Sequence, residues 1–198
     1  SLRRVFSGGE ALKSDVSTAF SRMFLQAELI NLYGPTEATI DATYWVCNRD
    51  SIEDQIPIGH PIDHVSAYVL DHSLNPSPAW TVGELYLGGL GLARGYSNHP
   101  GLTAEYFVPN SYSAIPGSML YRTGDLAFSR SDGTIVFHGR NDDQIKLRGF
   151  RIELGEIDAK LIEYSQIVQS VTVFNNEATG AKRQLVSFVV SRKRNHLV

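Results

Sequence analysis

Glu28-Leu29-Ile30-Asn31-Leu32-Tyr33-Gly34-Pro35-Thr36-Glu37 reads as an apolar strand, Glu28–Leu32, that runs into a Gly-Pro break. What precedes it decides the fold class. Leu2–Phe6 is a short apolar strand and Ser7-Gly8-Gly9-Glu10 a turn. Ala11–Leu25 then carries Leu12, Val16, Phe20 and Phe24 at helical i, i+4 spacing. Strand, helix, strand gives residues 1–50 an α/β character. In open α/β sheets ligands bind beyond the carboxyl ends of the strands, and Tyr33–Glu37 lies at such an end. Its chemistry suits a nucleotide. Tyr33 offers an aromatic face and Gly34 a close backbone approach to phosphate. Thr36 adds a hydroxyl, and Glu37 a hard oxygen for Mg²⁺ bound with phosphates. For the pentapeptide alone, a Gly-Pro turn with a solvated Glu is the ordinary alternative.

Residues 55–138 read as β-rich, with strands at His64–Asp71, Gly83–Gly88, Met119–Asp125 and Thr134–His138 between Pro and Gly turns. Asp132-Gly133 fits a hairpin turn between Leu126–Ser129 and Thr134–His138. Residues 142–198 form a smaller unit. Gln144–Leu147 and Phe150–Glu153 can pair across Arg148-Gly149. Gly155–Tyr164 is helical, with Ile157 and Leu161 on one face and Glu156 and Lys160 at i, i+4. Gln169–Phe174 and Gln184–Val190 are strands. The polar run Gly139-Arg140-Asn141-Asp142-Asp143 reads as a hinge between the two.

Three further runs carry polar chemistry. Gly83-Glu84-Leu85-Tyr86-Leu87-Gly88-Gly89-Leu90-Gly91-Leu92-Ala93-Arg94-Gly95-Tyr96 holds five glycines in fourteen residues. It misses the dinucleotide fingerprint, since Arg94 stands where a third Gly belongs and no helix clearly follows. It reads as a strand with a Gly-rich turn packed on a neighbour. Tyr121-Arg122-Thr123-Gly124-Asp125-Leu126 sets a carboxylate at a strand end, fit for two ribose hydroxyls or for closing a turn. Gly139 to Asp158 interleaves Arg140, Lys146, Arg148 and Arg151 with apolar strand residues, which suits either phosphate or a charged surface hairpin.

Composition removes other classes. The chain has 198 residues, is 42% hydrophobic and 20% charged, and carries a net charge of −3. It is globular material without the global charge for nucleic acid or an anionic membrane. The trio Arg192-Lys193-Arg194 reads as a solvated tail. One Cys and no apolar run near ~20 residues exclude a disulfide scaffold and a helical membrane span. The six His lack metal-ligand spacing. Cys47 reads as a core residue, and Ser7 lacks a nucleophile elbow. The ends carry no start signal and look cut from something longer.

Each motif alone is weak, yet their order is specific. An Asn31-x-Tyr33-Gly34-Pro35-Thr36-Glu37 run is followed by the Gly-Glu-Leu to Ala-Arg-Gly-Tyr run. Thr103-Ala104-Glu105-Tyr106-Phe107-Val108-Pro109-Asn110 comes next, then Tyr121–Leu126, then the run from Gly139 through Ile152-Glu153-Leu154-Gly155-Glu156-Ile157. This series resembles the adenylate-forming (AMP-binding) superfamily, most closely the amino-acid adenylation domains of nonribosomal peptide synthetases. The resemblance implies a mixed α/β fold. Residues 1–140 would end a large core with a distorted β-barrel. Residues 141–198 would be most of a small α/β C-terminal subdomain after a hinge at Asp142.

It also implies a cytoplasmic ligase that uses ATP and Mg²⁺ to make an aminoacyl-AMP. The aminoacyl group then passes to the phosphopantetheine thiol of a peptidyl carrier domain among neighbouring modules. By motif, Asn31 and Tyr33 would line the adenine site, with Gly34 beside them. Thr36 would touch phosphate, Glu37 would bind Mg²⁺, Asp125 would hold the ribose and Arg140 would lie near it. Arg148-Gly149-Phe150 would face the site during thiolation. Ser7, Gly9, Leu32, Ile40 and Asp41 would line the amino-acid pocket.

The family's Ser/Thr/Gly-rich loop with its Lys, the Asp for the α-amino group and the late Asn-Gly-Lys run are absent, and Lys146 and Lys182 do not fit them. The chain by itself is therefore expected not to form adenylates. An acyl-CoA or single carrier-protein ligase is an alternative, and a non-catalytic nucleotide-binding module is one of another class.

Overall fold

A computed structural model of the chain describes residues 2–49, 53–147, 149–175 and 184–192. They fall into two compact units, Ser1–Asn141 and Asp142–Val198.

In the first unit β1 (Arg4–Ser7), α1 (Ser14–Met23) and β2 (Glu28–Tyr33) form a right-sized crossover, and β1 lies parallel to β2. β3 (Thr43–Val46) returns antiparallel on β2, and β4 (His60–Pro61) closes a four-stranded sheet. Periodicity does not reveal β3 and β4, which are short and half exposed. The helix starts three residues later and ends two residues earlier than its apolar spacing predicts. Leu12 and Phe20 pack with Leu29, Cys47 and Ile56, but Val16 and Phe24 are 51% and 41% exposed. Ser17, not Val16, is buried there. Cys47 is a buried core thiol, and burial pushes its pKa up.

The second sheet of this unit is antiparallel and curled, half of a barrel. It holds β5 (Val65–Leu70), β6 (Gly83–Gly89), β7 (Phe107–Pro109), β8 (Met119–Ser129) and β9 (Ile135–Arg140). β8 pairs with β6, β7 and β9. The β8–β9 turn is closed by Gly133 (φ +83°), whose N–H reaches the Arg130 carbonyl at 3.0 Å, as Asp132-Gly133 predicts. A helix does follow the Gly-rich run: α2 (Pro100–Tyr106) starts on a proline, which suits a first helical position. Tyr33 of the first sheet, with Ala42 and Ile58 from the segments flanking its strands, joins Val69, Leu85, Leu87 and Ile135 from the second in one core cluster. Each fully buried Leu there contributes about 1.5–3 kcal/mol of transfer free energy.

In the second unit β10 (Ile145–Leu147) and β11 (Phe150–Ile152) form the expected hairpin. α3 (Leu154–Ile162) packs on β12 (Ile167–Asn175), which pairs antiparallel with β13 (Gln184–Ser191). Lys160 pairs with Glu163 at 2.7 Å rather than with Glu156. Asp158 fastens α3 to β12. It accepts from Ser170 Oγ at 2.8 Å, Thr172 Oγ1 at 2.7 Å and the Thr172 N–H at 3.1 Å. Arg148, Lys182 and the Lys193-Arg194 pair of the basic trio lie outside the described residues.

Candidate nucleotide site

Asp125 is not at a strand end: β8 runs straight past it to Ser129. The strand bulges there instead. Glu84 faces Leu126 and Tyr86 faces Arg122, so Thr123-Gly124-Asp125 stands opposite Leu85 alone. Gly124 supplies a φ of +73° that disfavours any side chain. Thr123 closes the bulge, donating its hydroxyl to the Leu85 carbonyl at 2.7 Å and accepting the Asp125 N–H at 3.0 Å. The Thr-Gly-Asp motif is thus a device for turning one carboxylate out of a ladder.

That carboxylate is 3% exposed and has two protein donors. Arg140, its cross-strand partner on β9, holds Oδ1 at 2.5 Å, and the Tyr33 hydroxyl donates to Oδ2. Burial, and then the Asp125 charge, push the Tyr33 phenol well above its ordinary pKa, so it remains the donor. Sequence reading gave Tyr33 a ring face for a base. The structure places that ring 7% exposed in the core and uses its hydroxyl.

Asn31 also turns inward. It is 2% exposed and donates its amide to the Pro57 carbonyl at 2.7 Å. Beside it the Thr43 hydroxyl reaches the Ile58 carbonyl at 2.7 Å. Gly34 is needed for a close approach to the chain itself. A Cβ there would lie 2.3 Å from the Ile40 carbonyl oxygen.

Thr36 and Glu37 sit on a single 3₁₀ turn, Thr36–Ala38. Thr36 is exposed, whereas Glu37 is buried and its Oε1 accepts from the Tyr96 hydroxyl at 2.7 Å. Thr39 and Ile40 follow with φ of +58° and +73°, a left-handed pair that is strained for β-branched residues. The strain is held by Thr39 Oγ1 on the Gly91 carbonyl at 2.6 Å and the Ala42 N–H on the Tyr33 carbonyl at 2.8 Å.

The residues expected to line an amino-acid pocket cluster at the carboxyl ends of β1 and β2. Ser7 is half-buried opposite Asn31. A Cβ on Gly8 would meet the Leu32 carbonyl at 3.3 Å, and Gly9 is exposed with φ +89°. Leu32 and Asp41 are half-buried, and Ile40 is 74% exposed. In the second unit, exposed Asp142 accepts the Gln144 N–H at 3.1 Å in a local turn.

The residues fit a divalent cation that arrives with phosphates. Glu37 offers one hard carboxylate beside the Thr36 hydroxyl. Among the described residues no group of three or more His, Cys, Asp or Glu forms a protein-only cage.

Comparison with known proteins gives these positions a context. Residues 1–97 match the family described as AMP-binding enzyme. The chain is 44% identical to malpibaldin synthetase of Mortierella alpina over 200 residues, spanning 100% of this chain and 4% of that one. Its fold superposes with a TM-score of 0.85 and 30% identity on PA1221, an NRPS protein containing adenylation and PCP domains bound to a vinylsulfonamide inhibitor, over 96% of this chain and 33% of that one. The chain belongs to the AMP-binding enzyme family. It is a portion of an adenylation domain of the nonribosomal peptide synthetase kind. The Vibrio cholerae adenylation domain AlmE, solved with glycyl-adenosine-5'-phosphate, is also similar, with a TM-score of 0.82 and 30% identity over 95% of this chain and 36% of that one. The chain therefore spans about a third of these solved adenylation proteins.

Sequence reading of this AMP-binding chain missed three residues that build its site. Thr123 and Tyr96 stood inside quoted motifs, but neither type announces a partner far along the chain. Thr39 carried no signal at all, since backbone strain is invisible in a residue type.

Proposed function

We propose that this chain is the nucleotide- and metal-holding part of an enzyme that activates an amino acid. A substrate carboxylate oxygen attacks the α-phosphorus of ATP, the bond to the β-phosphate oxygen breaks, and aminoacyl-AMP and pyrophosphate result. The thiol of a carrier domain's phosphopantetheine then takes the aminoacyl group and AMP leaves. The buried Asp125 carboxylate on its bulge carries the reading. An acceptor held at both oxygens by Tyr33 and Arg140 is preorganised for a vicinal diol, whose hydroxyls would take over part of that bonding. Asn31 and Gly34 act by shaping the β2 end. Thr36 would contact phosphate, and Glu37 would hold Mg²⁺ with the phosphates. The bound ion neutralises charge on phosphoryl oxygens.

Ser7, Gly9, Leu32, Ile40 and Asp41 would line the amino-acid pocket. Residues 1–140 would belong to the large domain and 141–198 to the small one. Asp142 would be the pivot between the two half-reactions, with a carrier domain and neighbouring modules as partners. AlmE with its glycyl-adenylate and PA1221 with its PCP domain support this reading. A cytoplasmic setting goes with a reaction that consumes ATP.

ATP–pyrophosphate exchange by the intact protein, run against amino acids and against fatty and aryl acids, tests it. Exchange dependent on an amino acid is expected. Exchange with fatty or aryl acids alone would overturn it. The 198-residue chain by itself is expected to show no exchange, because its sequence lacks the lysine-bearing phosphate loop.

A further inference from the structure

The Ala93-Arg94-Gly95-Tyr96 run lies on the wall of a groove of about 1430 Å³ that also takes in α2 and the 115–119 segment. The run grips Glu37 twice. The Ala93 N–H donates to the Glu37 carbonyl at 2.8 Å, and the Tyr96 hydroxyl to the Glu37 carboxylate at 2.7 Å. The grip is rigid. Gly95 has φ +136°, and a Cβ there would lie 2.4 Å from Thr103 Cγ2. The Tyr96 N–H is taken by Thr103 Oγ1 at 2.9 Å, which itself donates to the His99 carbonyl at 2.9 Å. The Tyr96 ring meets Tyr106 and Phe107 edge-on, with centroids 6.1 and 5.8 Å away. Backbone, ring and hydroxyl are thus each fixed independently, and the fixed donor is aimed at one oxygen of one carboxylate.

We infer that Tyr96 is a positioning residue for metal binding: it holds one Glu37 oxygen so that the carboxylate is oriented for Mg²⁺ brought with the nucleotide. This rests on the reading of Glu37 as the metal-binding carboxylate. Partners of ligating carboxylates orient the ligand and tune its affinity, and losing one typically weakens binding by about 10–100-fold.

Tyr96→Phe keeps the ring packing and removes only the donor. In the intact protein with ATP, Mn²⁺ affinity read by electron paramagnetic resonance is expected to fall about tenfold. The Mg²⁺ concentration for half-maximal exchange should rise by a similar factor, with the amino-acid KM unchanged. Unchanged Mn²⁺ affinity in Tyr96→Phe alongside a loss in Glu37→Gln would overturn the inference and spare the role of Glu37. Unchanged affinity in both would overturn the reading of Glu37 itself. A lower melting temperature in Tyr96→Phe with unaltered metal dependence would make the contact structural only and also overturn the inference.

Discussion

Asp125 shows how a single residue type becomes specific through its surroundings. An Asp after a Gly is common, and the sequence left it open between a ribose acceptor and a turn. The difference is made by Thr123 closing a bulge and by two donors arriving from β2 and β9. Asp125→Asn should remove the carboxylate charge that Arg140 meets at 2.5 Å in a buried site and lower stability by about 3 kcal/mol, read from urea denaturation of the intact protein. The same variant should raise the KM for ATP more than tenfold, because ribose hydroxyls lose an ionised acceptor. Gly34 makes the opposite case. Its missing side chain is filled by the Ile40 carbonyl, so Gly34→Ala should cost about 2–3 kcal/mol by overpacking against backbone. A preserved denaturation midpoint would contradict that packing.

At the scale of elements, periodicity revealed β2, β6, β8 and α3 because their apolar residues recur at the spacing of the structure that buries them. It missed β3, β4, β7 and α2, which are short or half exposed and owe their form to partners elsewhere. It also split β8 in two at Asp125, since a glycine inside a strand looks like an end. The α3–β12 junction is expected to respond to pH. Hydrogen bonds from Thr172 and Ser170 hold the Asp158 carboxyl below its usual pKa. A depressed carboxyl contributes stability above its unfolded pKa of about 3.9. That contribution is lost as pH falls through the lower folded value. Acid unfolding of the second unit, followed by amide signals of α3, should therefore begin below about pH 4. Asp158→Asn should flatten this pH dependence. An unaltered profile would show that Asp158 does not couple the two elements.

For the whole molecule, the order of the motifs carried more than any one of them, because a shared order reflects a shared path of the chain. What sequence could not convey was which motif residues touch. Tyr33 and Asp125 are 92 positions apart, and Glu37 and Tyr96 are 59. The contact boundary falls between Asn141 and Asp142. If Asp142 is the pivot, Asp142→Pro should change the ratio of exchange rate to carrier-loading rate about tenfold or more, since a stiffened hinge favours one arrangement. Equal scaling of both rates would reject the pivot. The position of β8, hydrogen-bonded to β6 along one edge and to β7 and β9 along the other, has a further consequence for solvent. In deuterium its amides should be among the slowest of the first unit to exchange. The Asp125 amide, tied to a hydroxyl rather than to a neighbouring strand, should stand out as a fast notch within that protected strip.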